Sequence, residues 1–179
     1  MNAVTEAGFF LLDTLVGFFS VLLLLRFFMQ AFRVSFANQV GAFVVQLTNW
    51  LVKPLRRVLP GLFGLDLASL LPVYVLQLVL ATALVSLRGG FGLADGLFVV
   101  VLWGALLATF RLCLYLLVGA LIVQAVLSWV APYSPLAQPL AQLTRPFLAP
   151  VRRFVPPIAG IDLSPLIVLL LVQLVLFFV

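Results

Sequence analysis

The sequence contains no histidine and a single cysteine, Cys113, and only 8% of its 179 residues are charged. Without imidazole there is no Ser-His-Asp triad, no His-ligated metal and no His-ligated haem. One thiol can form neither an intramolecular disulfide nor a Cys-cluster metal site. With five acidic residues in all, no cofactor or metal is expected, and an enzyme is the least favoured class of function. A soluble domain carries about 25% charged residues; at 8% the polar groups cannot cover the surface of a folded particle, so a soluble globular protein is excluded. What the chain has instead is apolar side chains, 65% of the total. The bilayer is its solvent.

A spanning helix needs about 20 predominantly apolar residues. Candidate spans run from Phe9 to Met29, from Leu67 to Leu87, within Gly96 to Trp129, and from Leu163 to Val179. The third stretch would make about 50 Å of helix against a core near 30 Å, so its first two turns are expected to tilt or to lie at the interface. The fourth, about 25 Å long, should end at the far headgroup boundary. The first apolar run follows Glu6 with no Lys or Arg before it, which is not the pattern of a signal peptide. No polar linker announces an appended soluble domain.

The basic residues set an orientation. Arg26, Arg33, Lys53, Arg56 and Arg57 surround the first loop between spans, and Arg145, Arg152 and Arg153 lie in the last. Asp66 and Asp162 are the acids on that side. The opposite side holds Arg88 against Glu6 and Asp95. Both long loops are therefore expected in the cytoplasm, with both termini outside. The net charge of +5 follows from this asymmetry, and no nucleic-acid partner is expected.

Residues 46–80 align with 142–176 at an offset of 96, with fifteen of the 35 positions identical. Pro54, Arg56, Arg57, Pro60, Gly64, Asp66, Leu67 and Gln77 are among them. Upstream, Met29-Gln30-Ala31 echoes Val123-Gln124-Ala125 at an offset of 94. The chain thus reads as an all-α membrane protein of four transmembrane helices, in two parallel helix–amphipathic loop–helix repeats covering 1–90 and 91–179. In the second half the order Ser128-Trp129, Leu143-Thr144-Arg145-Pro146, Pro150-Val151-Arg152-Arg153, Pro156 and Gly160-Ile161-Asp162-Leu163-Ser164-Pro165 resembles the repeat of the YggT family of bacterial integral membrane proteins. Chloroplast relatives of that family are called YlmG-like. The first half departs from the pattern, with Arg33 in the place of Trp129 and Ala68-Ser69 in the place of Ser164-Pro165. The resemblance implies the bacterial inner membrane. It also implies contexts of osmotic or ion homeostasis, cell division, nucleoid distribution or cytochrome assembly.

Within the first loop, Phe36, Val40, Phe43, Val44, Leu47 and Leu51 recur at helical spacing opposite Gln39, Gln46, Asn49, Lys53 and Arg56. The second loop sets Leu136, Leu140, Leu143 and Phe147 against Gln138, Gln142, Arg145 and Arg152. Each segment is expected to lie in the headgroup layer, apolar face down, and to end at Pro54 or Pro150. Lys53, Arg56, Arg57, Arg145, Arg152 and Arg153 then form a candidate site for anionic lipid or an acidic partner protein. A topology anchor without a specific ligand is the alternative. Asp66 and Asp162 are read as helix caps or as partners of the loop arginines, with Ser164 a competing cap; a proton- or ion-carrying carboxylate is the other reading.

Gln77 and Gln173 fall near the midplane, where they can bond to each other as structural glue or line a polar path. Asp13 and Arg111 are charges within spans, each costing about 2.5–3.5 kcal/mol if isolated, and an ion pair between them is expected. Cys113 is read as a buried small apolar residue. Two functions stand after the enzyme is set aside. The first is a non-enzymatic membrane organiser, assembly or stress factor working through its basic loops, with a division or assembly protein and a second copy as candidate partners. The alternative is a small transporter or channel component for ions or osmolytes.

Overall fold

The computed structural model describes residues 3–59, 61, 65–87, 97–131, 133–155 and 162–179. Among them are six helices and no strand: α1 (Ala3–Ala31), α2 (Gln39–Val58), α3 (Leu67–Leu87), α4 (Leu97–Val130), α5 (Ala137–Phe154) and α6 (Ser164–Phe178). Three helices, α1, α3 and α4, are long and apolar enough to cross a membrane; α6 is equally apolar but has 15 residues. At 1.5 Å per residue α1 is about 43 Å long, α4 about 51 Å and α6 about 22 Å. The expected first span is therefore extended at both ends, and the third is one unbroken helix. Phe98, Trp103 and Phe177 are 60–83% exposed, a surface that suits lipid and not water.

The core has three parts. In the first, Leu23 and Leu24 of α1 meet Val52 of α2 and Ala68 and Val73 of α3. In the second, Leu117 and Leu121 of α4 meet Leu148 of α5 and Val168 and Val172 of α6. Val52 and Leu148 correspond at the offset of 96, and Leu23 and Leu117 at the offset of 94, so two of the five buried residues of each cluster stand at equivalent positions. The third cluster joins the halves, packing Met29 and Val34 against Ala120 and Leu143. It places the loop ends of α1 and α4, and with them α2 and α5, at one end of the bundle.

α1 closes in a Schellman motif: the Val34 N–H donates to the Met29 carbonyl at 2.7 Å and the Arg33 N–H to that of Gln30 at 3.1 Å. The position between, normally glycine, is Arg33 at φ 55°. Val34 and Met29, both buried, supply the apolar contact of the motif. Asn38 then starts α2, its Oδ1 accepting the Gly41 N–H at 2.8 Å. Gly41 is required there: a Cβ would stand 2.6 Å from Phe36 Cα.

The two amphipathic helices do not end at their prolines. α2 continues through Pro54 to Val58, and α5 through Pro146 and Pro150 to Phe154. Each proline removes one backbone bond and crowds the preceding turn. All three lie on exposed positions, so the freed carbonyls are not sealed inside protein, while Val52, Leu148 and their neighbours hold the opposite face. The last turns close normally, with Leu59 N–H to Leu55 O at 2.7 Å and Val155 N–H to Val151 O at 2.9 Å.

Left-handed backbone costs a side-chain-bearing residue about 1–2 kcal/mol relative to glycine. Arg33→Gly should therefore raise the thermal midpoint by an amount equivalent to about 1 kcal/mol. Reaction of the half-buried Cys113 thiol with a fluorogenic maleimide during heating would report the shift.

Candidate functional site

Each amphipathic helix divides lengthwise into three faces. On α2, Gly41, Val44, Thr48 and Val52, at spacings of three and four, are buried against the bundle. Around from them run Gln39, Gln46, Lys53 and Arg57, all exposed. Next to these lie exposed apolar residues, with Phe43 (52%) and Trp50 (65%) bordering the polar side and Pro54 and Val58 beyond them. Trp50 also meets Phe19 of α1 edge-to-face, ring centroids 6.1 Å apart. α5 repeats the plan. Leu143, Thr144 and Leu148 are buried; Gln138, Gln142, Arg145 and Arg152 are exposed; and Pro146, Pro150 and Phe154 complete the exposed apolar face. One face packed on protein, one apolar and one cationic is the section that a helix needs to sit at a membrane boundary.

The paired arginines belong to the last turn of each helix, and not to the segment after it. There they complement the negative end of the helix dipole. The two members of each pair have different fates. Arg56 grips Asp66 side-on, Nε to Oδ1 at 3.2 Å and Nη2 to Oδ2 at 2.6 Å. Arg152 grips Asp162, Nε to Oδ2 at 2.9 Å and Nη2 to Oδ2 at 2.7 Å. The same ion pair thus ties the end of each amphipathic helix to the start of the apolar helix that follows. Lys53, Arg57, Arg145 and Arg153 are exposed and form no ion pair among the described residues.

The two carboxylates sit in different surroundings. The Asp66 side chain is 3% exposed, that of Asp162 38%. Burial alone would raise the Asp66 carboxyl. The hydrogen bonds from Arg56 and Ser69 and the charges of Arg56 and Arg26 outweigh it, holding the group below its ordinary 3.8. Desolvation likewise works upward on Asp162 and is outweighed by its bonds from Ser164 and Arg152, leaving that group lowered too. Asp162 also caps α6, Oδ1 accepting the Ser164 N–H at 3.0 Å. Ser164 does not cap; its hydroxyl is buried without a hydrogen-bond partner among the described residues. On Asp66 the Ser69 hydroxyl donates to Oδ2 at 2.7 Å.

Arg26 was counted among the loop charges, and the fold places it elsewhere. It is 4% exposed, its Nη1 donating to Thr48 Oγ1 at 2.7 Å and its Nη2 to Asn49 Oδ1 at 3.1 Å. Thr48 passes the chain on to the Val44 carbonyl at 2.6 Å. Gln30 accepts from Arg56 Nη2 at 2.5 Å, and the corresponding Gln124 accepts from Thr144. A polar signal for this cluster exists in the sequence: Thr48 and Thr144 are identical hydroxyls on the faces otherwise reserved for apolar residues.

The polar pairs expected deep in the bundle are not formed. Gln77 is buried and Gln173 exposed, with no hydrogen bond between them among the described residues. Asp13 and Arg111 make no ion pair; both are exposed, and Arg111 donates to the backbone oxygen of Val179. The guanidinium turns toward the end of α6, where unsatisfied carbonyls attract a cation. A cavity of about 270 Å³ between α1, α4 and α5 is lined by Phe28, Phe32, Phe110, Cys113, Leu143 and other apolar side chains. No three His, Cys, Asp or Glu side chains converge among the described residues.

Residues 5–87 and, separately, 103–179 match the model of one family, CCB3/YggT. The chain belongs to that family. Each matched segment contains one complete Arg–Asp pair, so the ion pair is a property of the CCB3/YggT unit in both halves of this chain. The chain is 37% identical over 177 residues to the uncharacterized protein PA0392 of Pseudomonas aeruginosa, covering 98% of this chain and 89% of that protein. It is also 37% identical over 177 residues to the uncharacterized protein YggT of Escherichia coli K12, covering 98% and 88%. An uncharacterized protein of Vibrio alginolyticus, named for the proC 3' region, is 35% identical over 168 residues, covering 92% and 88%. No solved structure matches.

The exposure of the two acids sets the cost of removing them. Asp66→Asn leaves Arg56 facing a site built for a carboxylate and should cost about 2 kcal/mol, less than for a fully buried pair because Arg56 is 42% exposed. Asp162→Asn should cost at most about 1 kcal/mol. Because Asp66 binds a proton less readily folded than unfolded, its contribution is complete above the ordinary carboxylate range and is lost as pH falls through its lowered folded-state value. Thermal midpoints measured from pH 7 to pH 3 should fall more steeply for the native chain than for Asp66→Asn.

Proposed function

We propose that this chain is a non-enzymatic, multi-pass protein of the bacterial inner membrane that holds anionic lipid headgroups at the cytoplasmic surface through α2 and α5. In this reading α6 is a fourth span, and the chain comprises two parallel repeats of span, boundary helix and span. The two family matches, and the two equivalent positions that the core clusters share, support that arrangement. A span as short as α6 is accommodated by local thinning of the bilayer.

One observation carries the proposal. Both amphipathic helices are fastened by one arginine of a pair while the other arginine is left exposed. Arg56 and Arg152 are structural, and Arg57 and Arg153, with Lys53 and Arg145, supply the cationic face. A juxtamembrane Lys or Arg is worth about 1 kcal/mol toward an anionic surface. By concentrating particular lipids, such a face would organise the membrane around the protein, a role that suits an assembly or osmotic-stress factor and offers docking to an acidic division or assembly protein. The transporter alternative draws little support, since both loop carboxylates are committed to arginines, Gln77 and Gln173 stand apart, and the cavity of about 270 Å³ has an apolar lining.

Anionic phospholipid retained by the purified protein, measured by quantitative lipid mass spectrometry, tests the reading. The variant with Lys53, Arg57, Arg145 and Arg153 all changed to Gln should retain severalfold less phosphatidylglycerol and cardiolipin, with phosphatidylethanolamine unchanged, at about 1 kcal/mol per residue removed. Equal retention would overturn it. Arg56→Gln should lower thermal stability more than it lowers lipid retention.

A further inference from the structure

Asp13 and Arg111 are opposite charges, each exposed on the side of a helix apolar and long enough to cross a membrane. The Val179 oxygen takes one of the five N–H donors of Arg111 and leaves the other four for a second partner. Asp13 has no ion-pair or hydrogen-bond partner among the described residues, and the half of α1 that carries it is exposed on nearly all sides, with Phe10, Leu11 and Leu15 at 61–68%. Charged side chains in spans are costly and as a rule are paired.

The two charges share a level. Asp13 lies ten residues, about 15 Å, from Leu23, where α2 crosses α1; Arg111 lies six residues, about 9 Å, from Leu117, where α5 crosses α4. The remaining difference, about 6 Å along the axis, is within the span of a flexible arginine stem. A twofold-symmetric contact would use each charge twice, Asp13 of one copy against Arg111 of the other and the reverse.

We propose that the chain forms a homodimer within the membrane, in which Asp13 on the exposed half of α1 pairs with Arg111 on α4 of a second copy. The occupant is a second copy because one and the same chain carries both complementary charges, each on an exposed position of an apolar helix. The contact also covers the apolar half-helix that the single bundle leaves bare. It is independent of lipid capture by α2 and α5.

Two differently tagged copies, both carrying C113A, one with D13C and the other with R111C, are co-expressed and treated in the membrane with a short bis-maleimide. The second Asp13–Arg111 pair remains intact in that dimer, so cross-linking between the tags is expected well above that of D13C with the exposed α6 position L170C. Cross-linking no better than this control would overturn the proposal. Single-molecule photobleaching in liposomes adds a charge test. D13R and R111D should each weaken association about a hundredfold, and the doubly reversed D13R/R111D chain should recover it. Monomers in the native chain, or no recovery in the double reversal, would equally overturn it.

Discussion

An arginine at the end of an amphipathic helix and an aspartate at the head of the next apolar helix form the joint on which this architecture turns. An amphipathic helix lying at a membrane surface is held there by burial of its apolar side, which fixes depth but leaves it free to slide and swivel. The Arg56–Asp66 and Arg152–Asp162 pairs remove that freedom at one end of each helix. Because α1 or α4 packs against the same helix before that end, each amphipathic helix is fixed at two points. Arginine suits the joint for a physical reason: its planar fork meets a carboxylate with two donors at once and stays charged at every relevant pH. The neighbouring arginine is then free to face outward.

The two halves use the joint differently. In the first, Asp66 is buried, Ser69 supports it, and Arg26 sits nearby holding Thr48 and Asn49. In the second, Asp162 is half open, caps α6, and faces no equivalent of Arg26, whose position is taken by the buried Ala120. The first half is thus a polar-filled, tightly specified junction, and the second an apolar one closed by Leu121 and Leu148.

Much of this was legible in the sequence. Long apolar runs gave the helices, with the second span, Leu67–Leu87, placed to the residue. The offset repeat and the alternation of apolar and polar positions gave the two amphipathic segments, and the spacing of Arg and Asp gave candidate partners. What was illegible had particular causes. Proline does not end a helix where packing holds the following turn, and here Leu55 and Val151, packed on the core, and the ion pairs of Arg56 and Arg152 hold it. Arg26 reads as a loop charge because hydropathy counts residues and not faces; only the approach of Thr48 and Asn49 shows that both of its terminal nitrogens are bonded inside. The repeat register set Asp13 near Arg111 in level, but a register carries no lateral distance between helices, so it could not reveal that the two side chains form no pair. Gln77 and Gln173 align for the same reason and point to different surroundings.

A nitroxide scan of residues 39–58 in liposomes, reading collisions with lipid-soluble oxygen and with an aqueous nickel chelate, tests the anchored boundary helix most directly. Labels at Phe43 and Trp50 should meet oxygen, labels at Gln46, Lys53 and Arg57 the chelate, and labels at Val44, Thr48 and Val52 neither. Releasing the joint with Arg56→Gln should blur the pattern from Val52 onward. Uniform chelate access in the native chain, or a pattern indifferent to the loss of Arg56, would contradict the account.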